Sequence, residues 1–214
     1  MFPCLKRRKP PVKTPDLKPG EGKVPDFTPP ELAEKLVRQF NNLEIEVQGR
    51  QKRSHVAWYV KKALSQKEHY LKVQAFLRVE LGRAIDWRII AALHGMEASF
   101  DLSKSIHSGE PWNRKTKLVP KGRGPFSSFE EACLDAFGIK RRPSEWDIAN
   151  TLNFCERFNG LGYRRKRMNS PYIWSYSNYQ PVGKYVRDHV FDPKAVSLQV
   201  GVAVILKELG FKGV

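Results

Sequence analysis

Ile90-Ala91-Ala92-Leu93-His94-Gly95-Met96-Glu97-Ala98-Ser99-Phe100 is the stretch that decides the architecture. With Trp87 and Ile89 just ahead of it, this is the most apolar segment of the chain. A helix apolar on nearly all sides is a buried one, so a central helix is expected over about 86–99. That helix ends on Glu97, where a charge is doubly disfavoured. Burial penalises an ionised carboxyl that lacks a partner, and the carbonyl end of a helix repels negative charge. Both effects favour the protonated acid, which is the form that can donate a proton to a departing oxygen. The ordinary alternative is a glutamate satisfied by an arginine or a backbone N–H.

Working outward, the pattern stays helical on both sides. Thr28-Pro29-Pro30-Glu31 reads as a helix start with Thr28 as N-cap and proline in the first turn. Leu32, Leu36, Val37 and Phe40 follow at helical spacing. A long helical stretch over about 54–81 carries Val56, Tyr59, Val60, Ala63 and Leu64 on one stripe, with a break expected near Ser65. Beyond the central helix, 100–126 is rich in turn formers and reads as a loop or a small irregular β-hairpin. Ser128-Phe129-Glu130-Glu131 is a second capping box, opening a helix that Gly138 stops. Ser144 is expected to cap the next helix, with Trp146, Ile148, Leu152 and Phe154. Residues 159–192 read as a long structured loop, and Pro193 as the start of a last helix ended by Gly210. The expected class is mainly α, with long loops or an irregular hairpin forming a cleft.

Residues 1–27 carry six prolines among lysines and cannot bury a core, so they are expected to be a basic, flexible tether ahead of one domain over 28–214. Apolar residues make up 41% of the 214, enough for one substantial core. No apolar run approaches the roughly 18–20 residues of a membrane helix, and no apolar stretch of secretory-signal type follows the early basic cluster. The formal charge of +16 and a pI near 9.9 favour polyanionic partners: nucleic acid, anionic lipid, or the acidic polymers and peptides of a bacterial wall. A zinc finger or basic zipper is not visible, which places nucleic acid second. Cys4, Cys133 and Cys155 form no metal or redox pair. Cys133 and Cys155 fall in apolar helical patterns and read as buried thiols.

Around Glu97 the order His94, two residues, Glu97, a small residue, Ser99 and an apolar residue resembles the catalytic helix end of the bacterial and phage lysozyme family. His107-Ser108-Gly109-Glu110-Pro111 is similar to that family's His-Asn-Gly-Asp-Pro loop, and Val119-Pro120-Lys121-Gly122-Arg123 to its Val-Pro-x-Gly-Arg stretch. Glu156-Arg157-Phe158-Asn159-Gly160-Leu161-Gly162-Tyr163, then Ser170-Pro171-Tyr172-Ile173-Trp174-Ser175 and Gly183-Lys184-Tyr185-Val186, continue the likeness in order. The likeness spans about 85–209. It implies a lysozyme-like helical domain acting on peptidoglycan glycan strands, with no metal or organic cofactor; a monomer working on the bacterial wall, periplasmic or secreted, is expected. Ser108 stands where the family has Asn, Glu110 where it has Asp, and Lys115 and Leu118 interrupt an Arg-Thr-x-His pattern.

Glycoside cleavage asks for an acid and a second group that steadies the oxocarbenium-like centre or activates water. Glu97 is the candidate acid. Glu110 is the candidate second group, its alternative being a turn residue in an exposed loop; Asp101 reads better as a turn residue. With one acid alone, the sugar's own 6-hydroxyl can attack, as in a lytic transglycosylase. Asn159, Tyr163, Tyr172, Trp174, Ser175 and Asn178 are the candidate glycan-binding residues, offering flat rings and paired donors and acceptors. Some of these rings are equally at home in a core. His94 and His107 are expected to be structural, and Glu156 to pair with Arg157 or Arg164. The run Arg164-Arg165-Lys166-Arg167 suits anionic wall polymer, or else is a solvated loop. A non-catalytic module binding wall or polyanion is the alternative from another class.

Overall fold

The computed structural model describes residues 28–187 and 190–213. The expected tether over 1–27, and Cys4 with it, lie outside the described residues. Among these the chain is mainly α. Nine helices run α1 Pro30–Asn41, α2 Arg53–Ser65, α3 Lys67–Leu81, α4 Trp87–Ala98, α5 Phe129–Gly138, α6 Ile148–Asn159, α7 Gly162–Arg165, α8 Pro171–Trp174 and α9 Val202–Glu208. One antiparallel hairpin, β1 Lys184–Arg187 with β2 Val190–Asp192, sits between α8 and α9. No helix among the described residues is long and apolar enough to cross a membrane.

The central helix stands where its apolar sequence requires. Asp86 caps α4 by accepting the Arg88 N–H at 2.8 Å, and every residue from Ile89 to Leu93 is fully buried. Helices α2, α3 and α9 pack around it; α5 lies on α3, α1 on α6, and α8 bridges α6 and α9. One apolar cluster runs from Leu36 to Phe211. At the end of α4 the chain reverses through Ser99 and Phe100, both left-handed (φ 51° and 62°). The Phe100 ring folds back on the helix it has just left, edge-on to Trp58, Tyr59 and His94. Gly95 makes that possible, because a Cβ there would overlap the Phe100 ring.

Several local expectations need correction. Thr28 does not cap α1, whose N-cap is Pro29. Its hydroxyl donates to Asn150 Oδ1 at 2.8 Å and accepts from Asn153 Nδ2 at 3.1 Å, tying the chain to α6 instead. The long helical stretch does break, at Gln66, one residue beyond Ser65. The cap of α6 is Asp147, which accepts from the Asn150 N–H at 2.7 Å; Ser144 lies outside that helix. The 100–126 segment is a loop with one bridge between Lys104 and Pro111, the first of the two forms expected for it, whereas the stretch expected to be loop over 159–192 holds α7, α8 and the β1–β2 hairpin. The last helix starts at Val202 rather than Pro193. The preceding segment is bound as a strap: the Gly183 N–H donates to Ala195 O and the Gly201 N–H to Ser175 O. A Cβ on Gly201 would collide with the Ile173 carbonyl, so the strap can seat there only with glycine.

Candidate active site

Glu97 occupies the last turn of α4, partly buried. Burial pushes its carboxyl above the ordinary value, against the pull of a hydrogen bond from Tyr172 and of the Lys140 ammonium. The Tyr172 hydroxyl donates to Glu97 Oε1 at 2.7 Å. Burial and the adjoining carboxyl hold that phenol well above its usual value, so it stays a donor. With Oε1 accepting, the acidic proton of the neutral carboxyl belongs on Oε2. Gln199 steadies the same turn, its amide donating to Met96 O at 2.9 Å.

The 100–126 loop is carried to this helix end by a second set of bonds. His107 bridges Ser105 Oγ at 2.9 Å and Asp135 Oδ2 of α5 at 3.2 Å, and Arg123 closes on the same aspartate through Nε at 2.9 Å. Burial would raise the Asp135 carboxyl, but these partners outweigh it and hold the group below its ordinary value. Held this way, the loop lays Gly109 (φ 66°) directly against Glu97, where a Cβ would stand 2.5 Å from the Glu97 carbonyl oxygen. The residue after it, Glu110, turns its carboxylate back into its own loop. It accepts the N–H groups of Lys117 at 2.9 Å and Leu118 at 2.9 Å, which lower its pKa and keep it ionised. Its carboxylate is thus a brace for the 117–118 backbone.

The other candidates divide by burial. Trp174 is 2% exposed and Ser175 is fully buried, so neither offers a face to a ligand; both are core, α8 being pinned between α6 and α9. Tyr163 is also buried, its hydroxyl accepting the Tyr185 N–H at 2.9 Å and anchoring β1. Tyr172 presents its hydroxyl to the acid rather than its ring to a sugar. Asn178 is exposed but clasps the 42–44 turn, accepting from the Glu44 N–H and donating to Asn42 O. Asn159 ends α6 on the surface, and the six do not assemble into one open wall.

The residues expected to be structural have identifiable partners. His94 spans the Tyr70 hydroxyl at 2.8 Å and Asp101 O at 3.0 Å, and burial pushes it down to about 4, leaving it neutral at physiological pH. Asp101 closes a turn on the Ser103 N–H at 3.0 Å. Glu156 pairs with Arg164, which also donates to Asn153. Cys133 and Cys155 are buried free thiols. Among the described residues no group of three His, Cys, Asp or Glu side chains could hold a metal ion. A groove of about 560 Å³ runs along α2 past Val56, Val60 and Leu64, but none of the residues around Glu97 line it. The sequence offered no signal for Lys140 or Gln199, and only the loop's Ser-Gly-Glu turn hinted at Gly109.

Comparison with known proteins gives no matching family model, no similar curated protein and no similar solved structure.

Proposed function

We propose that this protein is a lysozyme-type glycoside hydrolase that cuts the β-1,4 bond between the amino sugars of peptidoglycan, with Glu97 as general acid. The observation that carries the reading is a carboxyl biased toward its protonated form by burial and oriented by the Tyr172 hydroxyl. Such a group gives its Oε2 proton to the glycosidic oxygen as the C1–O bond breaks and the bonding pair leaves with that oxygen. The carboxylate then takes a proton from the water that adds at C1. The ordered motifs around Glu97, Gly109 and Asn159 support peptidoglycan as the glycan, and the charge of +16 suits anionic wall polymers.

One observation favours a second reading. The Glu110 carboxylate is engaged by the Lys117 and Leu118 amides, which leaves Glu97, with only Oε1 taken by Tyr172, as the one acid of the pair with an oxygen to spare. Attack by the sugar's 6-hydroxyl then replaces water, as in a lytic transglycosylase. Digestion of purified sacculi separates the readings. Wild type is expected to release fragments with reducing ends, and Glu97→Gln to lower the rate by about 10²–10⁴-fold. Anhydro ends would move the protein to the transglycosylases. No release from intact or de-N-acetylated sacculi would leave a wall-binding module.

A further inference from the structure

A concave pocket of about 370 Å³ lies between the 48–51 turn, β1 and the strap leading to α9, lined by Arg50, Lys184, Lys194, Ala195, Val196 and Leu198. Three cations share this wall, and no carboxylate lines it. Among the described residues none of the three side chains makes an ion pair or a hydrogen bond. Asp192 stands opposite Lys184 in the hairpin but spends Oδ1 on the Lys194 N–H at 2.8 Å and lies outside the lining, so one carboxylate offsets three cations only in part, and an anion relieves the remaining repulsion. Ala195, Val196 and Leu198 add apolar surface to the same lining. No aromatic ring lines the pocket, so the stacking platform of a single-stranded nucleic-acid site is missing.

One edge of the pocket is tied to the end of α4. Leu198 in its wall is followed by Gln199, whose amide holds the carbonyl of Met96, the neighbour of Glu97. Along that path the Leu198 edge of the wall stands about 15 Å or less from Glu97, on the 3.8 Å step between Cα atoms. Peptidoglycan carries short peptide stems beside the bond to be cut, built of methyl-bearing and carboxylate-bearing residues. Four extended residues reach about 13–14 Å. From these features we infer that the Arg50–Lys184–Lys194 pocket receives the acidic peptide stem of the glycan, its cations taking the carboxylates and its apolar lining the methyl groups. This inference rests on the peptidoglycan reading of the Glu97 site.

The direct test titrates a soluble stem tetrapeptide, alanine–isoglutamate–diaminopimelate–alanine, into the full chain and into Glu97→Gln, followed by NMR. Both are expected to bind it, more weakly as salt rises. Lys184→Ala/Lys194→Ala is expected to weaken binding about tenfold, as loss of two exposed ionic contacts allows, with Lys184→Arg/Lys194→Arg restoring it. A wild type that ignores the peptide overturns the inference, as does an alanine variant that binds equally well. So does inorganic phosphate binding as tightly as the peptide, which marks a general anion site. Cleavage supplies the second arm: the alanine variant should lose any preference for stem-bearing over amidase-stripped glycan, read as KM rather than kcat. Should wild type cut neither glycan, the enzyme reading fails, while the peptide titration still decides the pocket.

Discussion

Glu97 and Tyr172 form one chemical unit, and their pH behaviour follows from it. On the role proposed for Glu97, a general acid works only while protonated, so activity should fall as pH rises through its raised pKa. The Tyr172 hydrogen bond favours the charged carboxylate. Removing it in Tyr172→Phe should therefore raise that pKa further and move the falling limb of the kcat/KM profile to higher pH, even as the rate drops from lost orientation. Lys140→Met should move the limb the same way, because the ammonium also favours the carboxylate. A limb that stays in place in both variants would show that another group sets it. Glu97 itself was legible in the sequence, since a carboxyl closing an apolar helix stands out against its neighbours. Tyr172 was legible only as an aromatic near the right motif. Whether a tyrosine offers its ring or its hydroxyl depends on which residue lies opposite, and here that residue is 75 positions away.

At the scale of elements, two glycines set how α4 ends and how its loop returns. Gly95→Ala would drive a methyl into the Phe100 ring, which is itself confined by Trp58, Tyr59 and His94. The expected cost is about 1–3 kcal/mol of stability, read by urea unfolding, as overpacking of a tight core produces. Gly109→Ala acts differently. Its positive φ and its contact with the Glu97 carbonyl force the loop away from the acid. A displacement near 1 Å should lower kcat about 10²-fold with a modest loss of stability, measured by cleavage and by thermal unfolding. The helices themselves were readable from apolar periodicity and caps, as α4 and α5 show. Placement of the hairpin at 184–192 and the late start of α9 were not, because the strap before α9 takes its bonds from Gly183 and Ser175, far away in sequence.

For the whole molecule, the site weighs on stability. A carboxyl whose folded pKa lies above its unfolded value binds more protons in the folded state, so stability falls as pH rises between the two values and stays reduced above them. Glu97→Gln removes that burden. It should melt higher than wild type at pH 7–8, by about 2–4 °C for each kcal/mol gained, with the gap closing near pH 4. Equal melting points at both values would show that Glu97 carries no such cost. Spacing along the chain was enough for the mainly helical class, the buried central helix and the odd carboxyl at its end. Each depends on spacing within one element, where neighbours in sequence are neighbours in space. Long-range packing was needed to reveal that Trp174, Ser175 and Tyr163 are interior, that Glu110 braces its own loop, and that Arg50, Lys184 and Lys194 share a pocket. Those facts depend on which distant segments pack together, and an aromatic or a charge reads the same in the sequence whether it faces water or the core.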